Sequence, residues 1–325
     1  MVRHIGNTPV TLHYQKKVYL KRIRRTVPLI SHEGKKMMVS GSTKVFALFG
    51  DPVTHSLSPL MQNTAFKALK LDCCYLPFLV RRESLAEAVS AVRALNLGGV
   101  NLTIPHKERV LSYLDEVDEE ARVIGAVNTV VNRDGYLCGY NTDAPGFLAS
   151  LKSVGFDAKG KRVVVMGAGG AARAAVFALV HQGISHIYIC NRNTSRGEML
   201  ARDLRKAGAA VGVSDYGVSF SEALKNADLL VNATPVGMYP NHKENPSILR
   251  DQLHPRLLVC DLVYNPPQTR LLEEAAAAGC DVLNGVGMLA HQGALAFQLW
   301  TGKKAPVDLM HRAVLDALLK MRIDS

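Results

Sequence analysis

The sequence contains no uninterrupted apolar run approaching the roughly 18–20 residues that a membrane-spanning helix needs. Its first residues also lack the long apolar core of a secretory signal. Cysteine is sparse and unpaired in pattern. The six thiols (Cys73, Cys74, Cys138, Cys190, Cys260 and Cys280) form no CxxC pair, and the adjacent Cys73 and Cys74 cannot easily bridge each other. They are expected to be reduced, mostly buried thiols of a cytoplasmic protein. The 11 histidines form neither an HExxH motif nor a Cys/His cluster, so no metal site is expected. No GK[ST] follows a glycine turn, which excludes a P-loop. Internal repeats and low-complexity tracts are missing too.

What is present is a chain of 325 residues, 48% hydrophobic and 21% charged, long enough for two domains around sizeable cores. Its net charge of +11 resembles a nucleic-acid signal until it is located. Most of the excess lies in the first 44 residues, where Glu33 is the sole acid among the lysines and arginines. The remaining body is close to neutral, so the charge says little about a substrate, and neither nucleic acid nor membrane is an expected partner. Residues 1–43 read as a basic N-terminal extension, flexible or translated from a start placed too early. A structured arm used in oligomerisation is the further reading of that segment.

From residue 44 onward strands and helices alternate. "KVFALFG", "CCYLPFLV" and "GGVNLTI" read as strands. "SPLMQNTAFKALKL" and "SLAEAVSAVRAL" read as helices, capped by Ser58 with Pro59 in the first turn and by Ser84 with Glu87 at the capping-box spacing. "AVNTVVNRDGYLCGYN" has the pattern of a hairpin turning at Asp134-Gly135. A second alternating series opens at "KRVVVMGAGG" and includes "HIYICNR", "ADLLVNATP" and "LLVCDLVYN"; helices at about 287–299 and 306–322 close the chain. Such alternation predicts an α/β protein with parallel sheets covered by helices on both faces.

Within the second series, "VVVMGAGGAARAA" places Gly167, Gly169 and Ala172 in a GxGxxA arrangement. The pattern alone is weak, but it follows a β-branched strand and opens a helix. The first glycine permits a sharp turn, the second lets backbone approach a pyrophosphate, and the small Ala172 lets helix pack on sheet. An NAD site commonly carries an acid at the end of the next strand. Here Asn191 and Arg192 stand there, with Arg196 one turn later and no acid between them. Guanidinium groups replacing a carboxylate suit a 2′-phosphate, which points to NADP.

The stretch "NLTIPHK" sets Lys107 after a short apolar run with no acid beside it. Ser56 and Ser58 in "HSLSP", Asn128 in "AVNTVVN", Asp143 in "GYNTD" and Gln292 in "QGALAFQ" are the polar residues that a fold could bring to it. Read on their own, the two serines are ordinary helix-start hydroxyls. His55, His106 and His291 lie near these motifs and are expected to support them rather than react.

Together, "GDPVTHSLSPLMQN", "GGVNLTIPHK", "GAVNTVV", "GYNTD", "GAGGAARA", "NRNTSR", "NATPVGM", "LVYNP" and "GVGMLAHQGALAF" resemble, in this order, the shikimate dehydrogenase family from about residue 44 to about 322. The resemblance implies a discontinuous substrate domain, 44–143 plus 285–325, and an inserted Rossmann-type NADP-binding domain, 144–284. It implies reversible NADPH-dependent reduction of 3-dehydroshikimate to shikimate, on the route to chorismate and the aromatic amino acids. Lys107 would be catalytic and paired with Asp143. Ser56, Ser58 and Tyr264 would hold the substrate carboxylate, while Thr103, Asn128, Asp143 and Gln292 would meet the ring hydroxyls, with Asn101 shaping the loop. Gly167, Ala168, Gly169, Gly170 and Ala171 would cradle the pyrophosphate. Asn191, Arg192, Asn193 and Arg196 would hold the adenosine side. Glu119, Leu262, Gly285 and Met288 would line the cofactor cleft. The family often has threonine where this chain has Asn193. The same resemblance leaves room for a homodimer, for quinate as an additional substrate in a catabolic role, and for an NADP-sensing module without turnover.

Overall fold

A computed structural model describes residues 39–246, 248 and 250–323. The expectations for the basic extension therefore lie outside the described residues, apart from its last five. There, Ser42 and Thr43 donate to the Asp72 carboxylate at 2.8 and 2.6 Å, fixing the approach to the first strand.

The first sheet has the strand order β2-β1-β3-β5-β6-β4. Its strands are β1 (Lys44–Gly50), β2 (Cys73–Leu79), β3 (Gly99–Leu102), β4 (Glu116–Val117), β5 (Thr129–Arg133) and β6 (Tyr136–Tyr140). The sheet is mixed where the alternation predicted parallel pairing. β1 runs parallel to β2 and β3, but β5 is antiparallel to both β3 and β6. The β5–β6 pair follows from the tight turn at Asp134-Gly135, where both residues have positive φ, 52° and 94°. That is the two-residue turn whose twist matches a hairpin.

Helices α1 (Ser58–Ala68), α2 (Leu85–Ala94), α3 (Glu119–Ile124) and α4 (Asp143–Ser153) belong to this half of the sequence. The expected side-chain caps do not form. Ser58 is the first helical residue, behind Leu57 and beside Pro59. Ser84 ends a short 3₁₀ turn and makes no capping bond.

The second sheet, β12-β11-β10-β7-β8-β9, is parallel throughout. Its strands are β7 (Arg162–Met166), β8 (His186–Cys190), β9 (Val211–Ser214), β10 (Leu229–Asn232), β11 (Leu258–Asp261) and β12 (Asp281–Leu283). Helices α5 (Gly170–His181), α6 (Thr194–Lys206), α7 (Val218–Lys225) and α8 (Arg270–Ala277) accompany it. The order of the strands reverses at β7, between β8 and β10, the switch point at which open α/β sheets form a crevice. Two apolar clusters cover this sheet, one built on Val163, Val165 and the α5 alanines, the other on Val164, Met166 and Leu230.

After β12 the chain returns to the first half. The helix α9 (Val286–Thr301) packs Val286, Ala290, Ala294 and Phe297 into the cluster that holds Phe46, Met61 and Phe66. Then α10 (Val307–Ile323) contributes Met310 and Val314 to the same cluster. The close approach of α9 to α4 needs Gly146, since an added Cβ there would lie 2.8 Å from the Gln292 backbone nitrogen. That contact carries Gln292 to the edge of the crevice.

Candidate active site

Lys107 follows β3 in a turn held from several sides. The buried His106 donates its Nε2–H to the Val80 carbonyl at 2.7 Å, and its backbone N–H bonds the Thr103 carbonyl at 2.9 Å. The Lys107 carbonyl accepts from Val127 N–H at 2.8 Å. With its backbone fixed, Lys107 directs Nζ to Asp143 Oδ2, 2.5 Å away. The lysine side chain is 16% exposed and the aspartate 5%.

Asp143 is the first residue of α4, where the unpaired N–H groups of the opening turn favour a negative charge. Asn141 caps that turn, accepting from Ala144 N–H at 3.1 Å. The second carboxylate oxygen, Oδ1, accepts from Asn128 Nδ2 at 3.0 Å. The orientation of Asn128 is set by backbone, because its Oδ1 accepts the Thr142 N–H at 2.7 Å. The amide nitrogen must therefore face Asp143 and Gln292 Oε1, the latter at 3.2 Å. Asn101 supports the same layer, donating to the Asn128 carbonyl and to Thr129 while accepting from the buried Tyr75 hydroxyl at 2.8 Å.

These groups face a cavity of about 260 Å³. Ser56, Ser58, Asn101, Thr103, Lys107, Asn128, Asp143, Tyr264 and Gln292 all line it, together with Leu262, Gly285 and Met288. Ser56 Oγ accepts the Ser58 N–H at 3.3 Å and also bonds the Tyr264 hydroxyl. Burial pushes the Tyr264 phenol up, against the bonds it makes to Ser56 and the Leu57 backbone. The hydroxyls thus gather around Ser56, while the amides of Asn128 and Gln292 stand beside the single charged pair. Such a lining suits a small, hydroxyl-rich, anionic ligand.

A second cavity of about 670 Å³ opens on the other side of Lys107. Gly167, Ala168, Gly169, Gly170, Ala171, Asn191, Arg192 and Arg196 line it. Gly167 has φ 111°, a conformation that favours glycine, and a Cβ there would crowd the Ala233 carbonyl. A Cβ on Gly169 would meet nothing within 4 Å, so the backbone is open to a group approaching the start of α5. Ala172 is fully buried against the sheet. An open glycine turn before a helix, arginines at the end of the neighbouring strand and no acid between them fit a dinucleotide carrying an extra phosphate. Lys107 lines both cavities, as do Ile104, Ala171, Ala233, Thr234 and Pro235. The lysine stem lies against Gly170, where a Cβ would sit 3.0 Å from its own.

Five expected cofactor residues do not line this cavity: Leu262, Gly285 and Met288 line the smaller one, and Glu119 and Asn193 line neither. Asp118 caps α3 by accepting Glu120 N–H at 3.1 Å, and the first turn of that helix, with Glu119, faces solvent. Asn193 spends its side chain as the N-cap of α6, accepting Arg196 N–H at 3.2 Å. Conversely, Tyr216, Glu108, Glu244 and Asn245 line the larger cavity, and His55 and Tyr239 line the smaller with their rings 4.7 Å apart. Glu108 also lies 3.6 Å from Arg196. Adjacency to Lys107 was the signal that could have found Glu108; nothing local marks Tyr216. Among the described residues no group of His, Cys, Asp and Glu gathers as a metal site, and no helix is long and apolar enough to cross a membrane.

Family models match most of the chain. Residues 48–130 match the shikimate dehydrogenase substrate binding domain, 149–270 the shikimate / quinate 5-dehydrogenase model, and 285–315 the shikimate 5'-dehydrogenase C-terminal domain. A shikimate dehydrogenase (NADP(+)) of Methanopyrus kandleri is 52% identical over 285 residues, covering 86% of this chain and 98% of the relative. Among solved structures, a shikimate dehydrogenase in complex with NADP+ superposes with a TM-score of 0.81 at 41% identity, covering 86% of this chain and 98% of that one. The Thermus thermophilus shikimate 5-dehydrogenase in complex with NADP(H) and shikimate gives 0.76 at 42% identity, covering 85% and 100%. The quinate dehydrogenase of Corynebacterium glutamicum in complex with NAD gives 0.77 at 35% identity, covering 84% and 99%.

Proposed function

The chain belongs to the shikimate dehydrogenase family, and from that membership we propose that it catalyses the reversible, NADPH-dependent reduction of 3-dehydroshikimate to shikimate. The observation that carries this reading is the buried Lys107–Asp143 pair at the junction of the two cavities, with a hydroxyl-and-amide lining on one side and a glycine turn on the other. When bound, the nicotinamide exchanges a hydride with the ring carbon. The chain's own task is to deliver or remove the proton on that carbon's oxygen, and Lys107 Nζ is the donor suited to it.

Asp143 keeps the ammonium pointed into the cleft and compensates its charge. Asn128 and Gln292, with their amides already oriented, exchange bonds within the layer for bonds to ring hydroxyls, and Thr103 joins them. Ser56, Ser58 and Tyr264 hold the carboxylate at the far end without a cation, which agrees with the nearly neutral body of the protein. A site built this way rejects analogues lacking a hydroxyl, because its own groups would be left unpaired. Gly167 to Ala171 and the start of α5 hold the pyrophosphate. Arg192 and Arg196 take the 2′-phosphate beside Asn191, and Leu262, Gly285 and Met288 wall the nicotinamide end. The two sheets divide this labour, 44–143 with 285–325 for the substrate and 144–284 for the cofactor. Work in the cytoplasm, in keeping with six free cysteines, belongs to the same proposal.

The test is the change in reduced-nicotinamide absorbance with shikimate or quinate, each with NADP or NAD. Turnover is expected with shikimate and NADP. Faster turnover of quinate than of shikimate would move the assignment to the quinate-using branch, and absence of turnover with either would refute it.

A further inference from the structure

Behind the lining of this crevice lies a buried ionisable group that the mechanism does not use. Asp261, the last residue of β11, is fully buried, and among the described residues no lysine, arginine or histidine pairs with it. Its carboxylate is held by three neutral donors. Oδ1 accepts from Asn232 Nδ2 at 2.9 Å and from Val263 N–H at 3.0 Å; Oδ2 accepts from the Thr269 hydroxyl at 2.7 Å.

Two of the donors, Asn232 and Val263, lead to walls of the cleft, and the third, Thr269, caps α8. The other side of the Asn232 amide, Oδ1, accepts Thr234 N–H at 3.1 Å and the Thr234 hydroxyl at 2.6 Å. Asn232 thereby fixes the turn at Ala233–Pro235, which lines both cavities and touches Gly167. On the other side, Val263 precedes Tyr264, whose hydroxyl bonds Ser56. The Val263 carbonyl also accepts Gly285 N–H at 3.1 Å, which ties in the start of α9.

We propose that Asp261 is a positioning residue that joins the cofactor-facing turn at Thr234 to the Tyr264 segment, so that one buried carboxylate sets both walls of the cleft. A buried charge without a cation lowers stability, and its retention calls for a reason other than packing. Burial pushes the Asp261 carboxyl up to about 6, against the pull of its three donors. The thiol beside it, Cys260, is itself pushed up by burial and by the Asp261 charge, so it stays neutral. At neutral pH Asp261 is therefore a carboxylate able to accept all three bonds. An amide in its place reverses the third contact, its NH₂ facing the Thr269 oxygen, and removes the charge that strengthens all three bonds.

The inference rests on the reading of the two cavities given above, and its test separates the two. Titration calorimetry would measure Kd for NADP and for shikimate in the wild type, Asp261→Asn, Thr269→Val and Thr269→Ser, with amide hydrogen exchange at Thr234 and Val263. In Asp261→Asn both Kd values are expected to rise together, each by roughly five- to twentyfold, the equivalent of about one hydrogen bond. Exchange should accelerate at both amides, while kcat at saturation changes less than threefold. Thr269→Val should follow in the same direction, and Thr269→Ser should bind like the wild type. Should Asp261→Asn fail to fold, the Thr269 pair decides alone. Affinities within twofold of wild type in the folded variants, or weakening of one ligand without the other, would overturn the proposal. If wild type binds NADP but not shikimate, the substrate reading fails, while NADP affinity and exchange at the two amides still judge the clamp.

Discussion

The Lys107–Asp143 pair makes the sharpest prediction, because stability and turnover must respond to it in different ways. Lys107→Met removes a cation from a carboxylate that is 5% exposed. Breaking one side of a buried pair costs about 3–5 kcal/mol, since the remaining charge is stranded. Two features soften the loss here. Asn128 still donates to Asp143 Oδ1, and the opening turn of α4 still faces the charge. Together these offset about 1–2 kcal/mol, leaving a net destabilisation of roughly 2–3 kcal/mol. Asp143→Asn strands Lys107 instead, but that side chain is 16% exposed and can turn toward water, so about 1–2 kcal/mol is expected. The double variant removes both charges and should cost less than the sum of the single changes by about 2 kcal/mol. Urea unfolding of the four proteins measures this cycle. For kcat, each single change should cost a factor of about 10²–10⁴, and the double variant should resemble the worse single one, because members of one proton-transfer unit do not multiply. Additive stabilities together with multiplying losses in kcat would refute the claim that the two side chains act as a unit.

The other expectations follow from the walls of the two cavities. Ser56→Ala and Ser58→Ala should each raise KM for shikimate by roughly tenfold, the value of about one hydrogen bond, with kcat changed little; an unchanged KM in both would remove the serines from the carboxylate site. Arg196→Gln should raise KM for NADP by roughly 10- to 100-fold and leave KM for NAD within about twofold, since a charge-assisted bond to phosphate is worth about twice a neutral one. Equal effects on both cofactors would mean that Arg196 does not meet the 2′-phosphate. Gly285→Ala should lower unfolding free energy by about 1–3 kcal/mol, because a Cβ there would overlap the Leu262 carbonyl; a melting temperature equal to wild type would refute that close approach.

The parts of the fold legible in the sequence are those with local causes. "KVFALFG" and "KRVVVM" are apolar runs bounded by turn residues, and they became β1 and β7. Asp134-Gly135 is a pair that tolerates positive φ, and it became the hairpin turn. The glycine turn was legible for the same reason. The helix α4 is not legible in the sequence, because Pro145 and Gly146 stand in its first turn and local propensity argues against a helix there. Gly146 is present because the Gln292 backbone approaches it, and that requirement is set by the tertiary packing of α9. The serine caps misled in the opposite direction. A serine before an apolar run is a good capping signal, yet Ser58 fell inside the helix and left its hydroxyl to the cavity. In the site, the resemblance supplied the residues that would touch ligand, whereas Thr142, Asn232 and Thr269 went unremarked. Their role is to orient another side chain, and no spacing rule along the chain encodes that.

The placement of Lys107 shows how such distant requirements converge. A proton donor that serves chemistry at a nicotinamide has to reach both ligands, so it must sit where the two cavities meet. The sequence meets this with a lysine whose stem crosses the glycine turn, and Gly170 is where that crossing occurs. Gly170, which opens α5 and lines the larger cavity, thus also leaves room for the lysine. The same economy recurs at Asn128, whose amide is locked by the Thr142 backbone and so offers donors, never acceptors, toward Asp143. Lys107 Nζ holds one carboxylate oxygen and Asn128 Nδ2 the other, so the two donors fix the orientation of Asp143. That fixed orientation is what the proposed function asks of Asp143, a carboxylate held beside the lysine that the proposal makes the proton donor.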